Sequence, residues 1–174
     1  EIGGVTGSLA RRSEELYSSL DATGQQATRQ LFLRLVSLGE GTEDTRRRVR
    51  RSELATTDAI DDVINLYGQY RLLTFDKDPA SHEPTVEVAH EALIRTWERL
   101  RTWINESRED LRVQRRVSGA VTEWLGSGKD NSFLASGARL TQFQEWRDST
   151  ELILNEDEQT YIQTSIDAQE ARQA

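Results

Sequence analysis

The order of predicted elements indicates a mainly α-helical protein with a small β component. Val86 and Val88 alternate with polar neighbours, which is typical of a half-buried strand. From His90 onward the apolar residues recur at three- and four-residue steps, which predicts a helix. Upstream, the pattern reads helix, strand, helix, helix and strand before this segment. That order predicts a winged helix-turn-helix with a small β-hairpin wing, followed by a helical bundle or arm.

The first half of the sequence supplies the elements of the winged helix. Residues 3–20 predict a turn that leads into a helix. Thr23 and Gln26 have the spacing of a capping box for the next helix, whose apolar face runs to Leu38 before Gly39 ends it. Residues 45–51 predict one strand. Thr56 or Thr57 then caps a helix, and residues 72–75 and 85–89 predict the two strands that flank a proline-containing loop.

The second half of the sequence predicts helices only. The apolar stripe from Leu93 through Trp97 to Ile104 predicts one helix, and Ser107 is a candidate cap for another that ends at Gly126. Asn155 is the predicted cap of the last helix, because three acidic residues follow it and suit the helix dipole. We therefore predict a leading helix over residues 1–20, a winged-helix domain over 21–104 and a helical arm over 105–174.

The composition limits the classes of function. The 174 residues include no cysteine, which excludes disulfides and thiolate chemistry, and no methionine, so we expect a piece of a longer protein. The net charge of −8 opposes binding to nucleic acid or to anionic lipid. No apolar run reaches membrane-spanning length and no signal peptide is recognisable, so we expect a cytoplasmic protein without membrane partners.

One local cluster of basic residues occupies positions 46–51. Its five arginines could contact phosphates in a nucleic acid. The alternative is a strand whose arginines pair with nearby acids such as Glu40, Glu43, Asp44 and Glu53. The predicted recognition helix carries Asp58, Asp61 and Asp62, which would bring carboxylates against phosphates. The pattern therefore favours ion pairing over DNA recognition.

His90 is the candidate functional residue, because it lies where a strand passes into a helix. Backbone N–H groups are free at that end of a helix, so a ligand could be held there. The alternative is a histidine that packs at the junction and hydrogen-bonds a nearby carbonyl. His82 falls in the predicted loop, and no catalytic or metal-binding motif surrounds either histidine.

The segment Ala89, His90 and Glu91 resembles the winged-helix domain of STAND-class NTPases. In the apoptotic and plant-resistance members of that class, which are the NB-ARC-like proteins, the motif reads Met-His-Asp. The resemblance is strongest to bacterial members whose ATPase core is followed by a repeat sensor such as a WD40 propeller. Further residues that fit that group lie at 3–11, 40–49, 86–97 and 136–140.

The resemblance implies a role for His90 and a set of partners. In STAND NTPases the winged-helix histidine points toward the β-phosphate of ADP and helps to hold the resting state. The implied partners are an N-terminal ATPase core and a C-terminal sensor of the same chain, with oligomerisation on activation. ADP or ATP with Mg would bind only in the full-length protein, because this sequence contains no phosphate loop. We also predict an interface that includes Arg46, Arg47, Arg48, Glu91 and Arg95.

Three functions remain open from the sequence. The leading prediction is a regulatory segment of a signalling NTPase, in which the winged helix holds the ADP-bound state and relays signals from the sensor. This segment would be no enzyme by itself, although the parent protein would be an ATPase. The alternatives are a winged-helix nucleic-acid-binding module that uses residues 46–51, or a plain helical adaptor.

Overall fold

Helices account for 66% and strands for 9% of the described residues, so the fold is mainly helical as predicted. The computed structural model describes residues 4–174, apart from the side chains of Val5 and Thr6. Residues 1–3 of the predicted leading segment lie outside them. The chain divides into two units, Glu1–Arg108 and Glu109–Ala174. None of the described helices is both long enough and apolar enough to cross a membrane.

The described part of the first unit contains four complete α-helices, the start of a fifth and five strands. The helices are α1 (Gly4–Ser19), α2 (Ala22–Arg34), α3 (Asp58–Gln69), α4 (Glu91–Thr96) and α5 (Glu98–Gly126), whose first eleven residues belong to this unit. The strands are β1 (Val36–Ser37), β2 (Thr45–Arg46), β3 (Val49–Arg50), β4 (Leu73–Lys77) and β5 (Pro84–Val88).

The strands form two antiparallel sheets. β1 pairs with β2, and a three-stranded sheet has the order β3–β5–β4. In that sheet Val86 of β5 lies opposite both Val49 and Phe75, and Val88 lies opposite Leu73. Val49, Leu73, Val86 and Val88 are all buried. The predicted strand is therefore confirmed as β5, although Thr85 is also buried and departs from the predicted alternation.

The core of the first unit is built around Trp97. Its indole ring is 2% exposed and makes edge-on contacts with Phe32 and Trp103, at centroid distances of 5.2 and 5.5 Å. Tyr67 lies against the same ring and donates its hydroxyl hydrogen to the backbone oxygen of Ser13, which ties α3 to α1. The predicted apolar stripe around Trp97 is confirmed as core.

The helix through that stripe is interrupted, contrary to the prediction of one continuous helix. α4 ends at Thr96, and Trp97 adopts an extended conformation before α5 begins at Glu98. Backbone hydrogen bonds continue on both sides, from Trp97 N to Leu93 O and from Arg101 N to Trp97 O. The break therefore leaves these backbone groups paired, while it turns the large indole into the aromatic core.

Other predicted boundaries in the first unit are wrong. α2 begins after Asp21, whose carboxylate accepts a hydrogen bond from Gly24 N, so the cap is not Thr23. The same helix ends at Arg34, because residues 36–37 pair with β2 instead of extending the helix. The single strand predicted over 45–51 is divided between the two sheets. The predicted cap of α3 by Thr57 is confirmed.

The second unit contains the end of α5 with α6 (Gly137–Ser149) and α7 (Glu156–Gln173). Asn155 caps α7 as predicted, and Glu158 completes a capping box. Buried Gln114 of α5 donates to Glu158 at 2.7 Å, and Trp124 packs edge-on against Tyr161. The predicted domain boundaries after residues 20 and 104 stay predictions. In the structure, α1 belongs to the first unit, and that unit ends at Arg108.

Ser107 does not begin a helix, although the sequence suggested that it caps one. It lies inside α5, where it is buried and its hydroxyl accepts a hydrogen bond from Arg29 Nη2 at 3.0 Å. No glycine or proline interrupts residues 98–118, so nothing in that stretch ends the helix. The correction places Ser107 in the core of the first unit.

Candidate functional site

The backbone between β5 and α4 holds His90 at the surface. Ala89 N donates to Leu72 O at 2.9 Å, which anchors the residue before it. His90 then takes an extended conformation as the N-cap residue of α4, and its carbonyl accepts the first helical hydrogen bond from Leu93 N. Its side chain forms no capping bond and is exposed. Among the described residues, none hydrogen-bonds the imidazole, so both ring nitrogens face solvent or a ligand.

Arg46 of β2 is bound to the same junction. Its guanidinium donates to the carbonyl oxygens of Val88 and Ala89, at 3.5 and 3.4 Å. Its backbone N–H donates to the Glu91 carboxylate at 3.3 Å. These contacts connect β2 to the residues on both sides of His90. The predicted interface residues Arg46 and Glu91 therefore position the histidine within the molecule.

The remaining arginines of the 46–51 cluster are paired with acidic residues. Arg47 forms two hydrogen bonds with Glu53, at 2.7 and 3.1 Å, and Arg48 approaches Glu87 at 3.6 Å. Arg50 and Arg51 pair with Glu83 and Asp61. The positive charge of the cluster is therefore largely neutralised. Of these acids only Glu53 was predicted from the sequence; the others lie on α3, on β5 and in the loop between β4 and β5.

Arg95 of α4 contacts the loop between β1 and β2. Arg95 Nε pairs with Glu43 at 2.9 Å in an exposed ion pair. The neighbouring Asp44 is buried, and its side chain accepts a hydrogen bond from Gly39 N at 2.8 Å. A side chain at Gly39 would approach Thr42 O to 2.2 Å, so this tight loop requires glycine. The loop is thus shaped around Asp44.

Asp44 connects this loop to α5. Arg101 and Arg108 both donate to its carboxylate, with distances between 2.9 and 3.0 Å. The Arg108 hydrogen bonds hold the pKa of Asp44 well below its usual range, against the raising effect of burial. Sequence analysis assigned Asp44 to the arginine cluster at 46–51, but the structure pairs it with arginines 57 and 64 residues away. No local pattern signals that pairing.

An open cleft of about 690 Å³ lies where α1 meets the break between α4 and α5. Glu14 on its wall accepts hydrogen bonds from Trp97 Nε1 at 3.0 Å and from Arg99 at 2.9 and 2.7 Å. Arg99 also lies 4.1 Å above the Tyr17 ring. Its hydrogen bonds lower the pKa of Glu14. His90 does not line this cleft, so the candidate histidine and the cleft are separate features.

Within residues 4–174, no group of three or more His, Asp or Glu side chains is arranged to hold a metal ion. The junction between β5 and α4 exposes one imidazole, on a backbone that is held by the strand, the helix and Arg46. Such an arrangement can donate or accept a hydrogen bond from a neighbouring group.

Comparison with known proteins places the chain in a class. Residues 1–132 match a family model of STAND-class NTPases, which is more than half of the chain. The chain belongs to the family described as Novel STAND NTPase 1. It has no match among curated proteins or among solved structures. The matched region includes the whole first unit and therefore the His90 junction.

Proposed function

We propose that this chain is a regulatory segment of a STAND NTPase, with a winged-helix domain followed by a helical arm. The topology supports this reading: α2 and α3 form the helical pair, β4 and β5 form the hairpin, and β3 completes the sheet. Residues 21–104 are the proposed winged helix and residues 105–174 the arm. The ATPase core and the sensor, such as a WD40 propeller, are its proposed partners in the same chain.

The observation that carries the proposal is the exposed imidazole of His90, which no described residue engages. In the proposed resting state it binds the β-phosphate of ADP held by the ATPase core. A hydrogen bond from the His90 side chain to a charged phosphate contributes ~1.5–3 kcal/mol. When the bond forms in one state only, it favours that state roughly 10- to 150-fold, which is an ordinary size for allosteric coupling.

Nucleotide binding and hydrolysis belong to the ATPase core in this proposal. ADP or ATP with Mg binds there, in the cytoplasm, and this segment catalyses no reaction. Loss of the His90 contact on activation frees the winged helix, and the protein then oligomerises. Arg46 and Glu91 support the histidine in this scheme, while Arg47, Arg48 and Arg95 lie on the proposed interface.

DNA recognition has no observation in its favour. Arg47, Arg48, Arg50 and Arg51 of the basic cluster each have an acidic partner, and binding to phosphates would require those pairs to break. Asp58, Asp61 and Asp62 are exposed on α3, the helix that would enter a groove. Salt-dependent, sequence-specific binding of this chain to duplex DNA in a mobility-shift experiment would reverse that assignment.

His90→Ala tests the proposal in the protein that joins this chain to its ATPase core. We expect ADP affinity to fall ~10- to 150-fold and basal oligomerisation or output to rise. The substitution should shift the thermal midpoint of the 174-residue chain by less than about 2 °C, because the side chain is exposed and unbonded.

The matched control is His82→Asn in the hairpin loop between β4 and β5. His82 is also exposed and has φ of 61°, a left-handed conformation that asparagine accepts. We expect this variant to keep wild-type ADP affinity and output. Unchanged ADP affinity in His90→Ala would show that His90 senses no nucleotide, and a large drop in its thermal midpoint would make it a structural residue.

A further inference from the structure

The second unit contains an open pocket of about 380 Å³ that the proposed function does not use. One wall is the face of α5 that carries Arg116, Gly119, Ala120 and Glu123. Arg116 lies three and four residues before Gly119 and Ala120, and Glu123 lies four and three residues after them, so the four positions share one face of the helix and extend over roughly 10 Å. A Cβ atom placed on Gly119 would meet no atom within 4 Å, so the glycine leaves real space in this wall.

Two arginines give the pocket its charge. Arg116 of α5 and Arg139 of α6 both line it, and both are exposed. Neither guanidinium forms a hydrogen bond or ion pair with another described residue. In the first unit, by contrast, Arg99, Arg101 and Arg108 are all bound to carboxylates. In a chain with a net charge of −8, two arginines beside the single carboxylate of Glu123 leave this pocket with a local excess of positive charge, which suits an anion.

Phe133 adds an apolar surface beside the arginines. Its side chain is 43% exposed, although a large apolar side chain is normally buried. Its backbone is nevertheless fixed, because its carbonyl accepts a hydrogen bond from the Tyr161 hydroxyl at 2.9 Å. The preceding turn is also capped, by the Asp130 carboxylate on Ser132 N. The fixed backbone therefore places Phe133 in the lining of the pocket.

We propose that this pocket docks an acidic peptide segment of a partner protein. Arg116 and Arg139 bind one carboxylate of the segment, and an adjacent apolar side chain packs on Phe133. Planar guanidinium groups suit a carboxylate, which accepts paired hydrogen bonds from them. Glu123 lies on the same wall and leaves the pocket with one excess positive charge. That balance matches one carboxylate better than a doubly charged phosphate monoester.

Titration of the isotope-labelled 174-residue chain with a defined peptide tests the proposal. The probe is acetyl-Ser-Glu-Leu-Glu-Phe-Ser-amide, and the control peptide has both glutamates replaced by glutamine. We expect saturable shifts of the backbone amide signals of Gly119, Ala120 and Phe133 with the acidic peptide. The glutamine peptide should bind at least about tenfold more weakly, because its neutral amides form no ion pair with the two arginines.

Substitutions in the pocket test its location. Gly119→Leu fills the open space on a helix that tolerates leucine well, and should weaken the acidic peptide at least about tenfold. Arg116→Gln and Arg139→Gln should each do the same. Arg172→Gln is the matched control, because it removes the same charge from the last turn of α7, outside the pocket. It should change the affinity less than about twofold, and thermal midpoints confirm that each variant is folded.

Four results would overturn the proposal. The first is no saturable binding of the acidic peptide, and the second is equal binding of the glutamine peptide. The third is inorganic phosphate that saturates the same amide signals at a lower concentration than the peptide, which would assign the pocket to a phosphate. The fourth is a dimer in sedimentation equilibrium that Gly119→Leu dissociates, which would make a second copy of the chain the occupant.

Discussion

Two carboxylates hold the first turns of α5 in the first unit, and they differ mainly in burial. Asp44 receives hydrogen bonds from Arg101, Arg108 and a backbone amide, and its side chain is 3% exposed. Glu14 also receives hydrogen bonds, from Arg99 and Trp97, but its side chain is 41% exposed. The two sites use the same chemistry in different surroundings. Water competes for Glu14 and is excluded from Asp44, so the two should contribute unequally to stability.

Trp97 allows the stability contributed by aromatic packing to be compared with that contributed by the two carboxylates. Trp97 reaches Glu14 through its indole N–H, yet most of its surface lies against Phe32, Tyr67 and Trp103. A substitution at Trp97 therefore reports how much the aromatic core contributes to the free energy of unfolding, beside the more exposed carboxylate of Glu14. Substitutions at Trp97, Asp44 and Glu14 should produce effects in that order.

The largest effect is expected for Trp97→Ala. Removing a ring that is 2% exposed leaves a cavity between four elements, and the free energy of unfolding should fall by ~3–5 kcal/mol. Urea denaturation of the 174-residue chain, followed by circular dichroism, measures it. Trp97→Phe is the companion variant, because it keeps an aromatic ring and loses the bond to Glu14. A loss below 1 kcal/mol for Trp97→Ala would contradict the position of Trp97 at the centre of the core.

The local features of this fold could be predicted from the sequence. The apolar stripe from Leu93 to Ile104 is buried even though the helix breaks within it, because side-chain burial follows the periodicity and tolerates a kink. Caps Thr57 and Asn155 were found because a capping side chain bonds an amide three residues away. The position of His90 at the strand–helix junction follows from the same change of period.

The long-range features could not be predicted in this way. Asp44 pairs with Arg101 and Arg108 only because the chain folds back over 57 and 64 residues, and no spacing rule encodes that distance. The ring of Trp97 likewise lies against Phe32 and Tyr67, which α2 and α3 contribute from far away in the sequence. The pocket beside Gly119 was missed because its walls come from separate helices. Only the 136–140 motif drew attention to part of it, without indicating an arginine pair.

Asp44→Asn should have the second largest effect. The substitution leaves Arg101 and Arg108 without their counter-charge beside a buried amide, and should cost ~1.5–3 kcal/mol at neutral pH. The pKa of Asp44 is lowered by folding, so its contribution is present above the unfolded value of about 3.9 and is lost as the pH falls below it. Denaturation at pH 7 and pH 3 should therefore show a larger difference for the wild type than for Asp44→Asn. Equal differences would show that Asp44 does not act through its charge.

Glu14→Gln should have the smallest effect of the three, and it tests whether exposure governs the comparison. Folding lowers the pKa of Glu14, chiefly through hydrogen bonds from Arg99, so its contribution is also present above its unfolded value and lost in acid. Solvent screens this exposed pair, however, and glutamine can still accept the hydrogen bond from Trp97 Nε1. We expect a loss of ~0–1 kcal/mol, reduced further by added salt. If Glu14→Gln proved as costly as Asp44→Asn, burial would not be the property that separates the two carboxylates, and the cleft beside Glu14 would have to be drier in solution than its open shape implies.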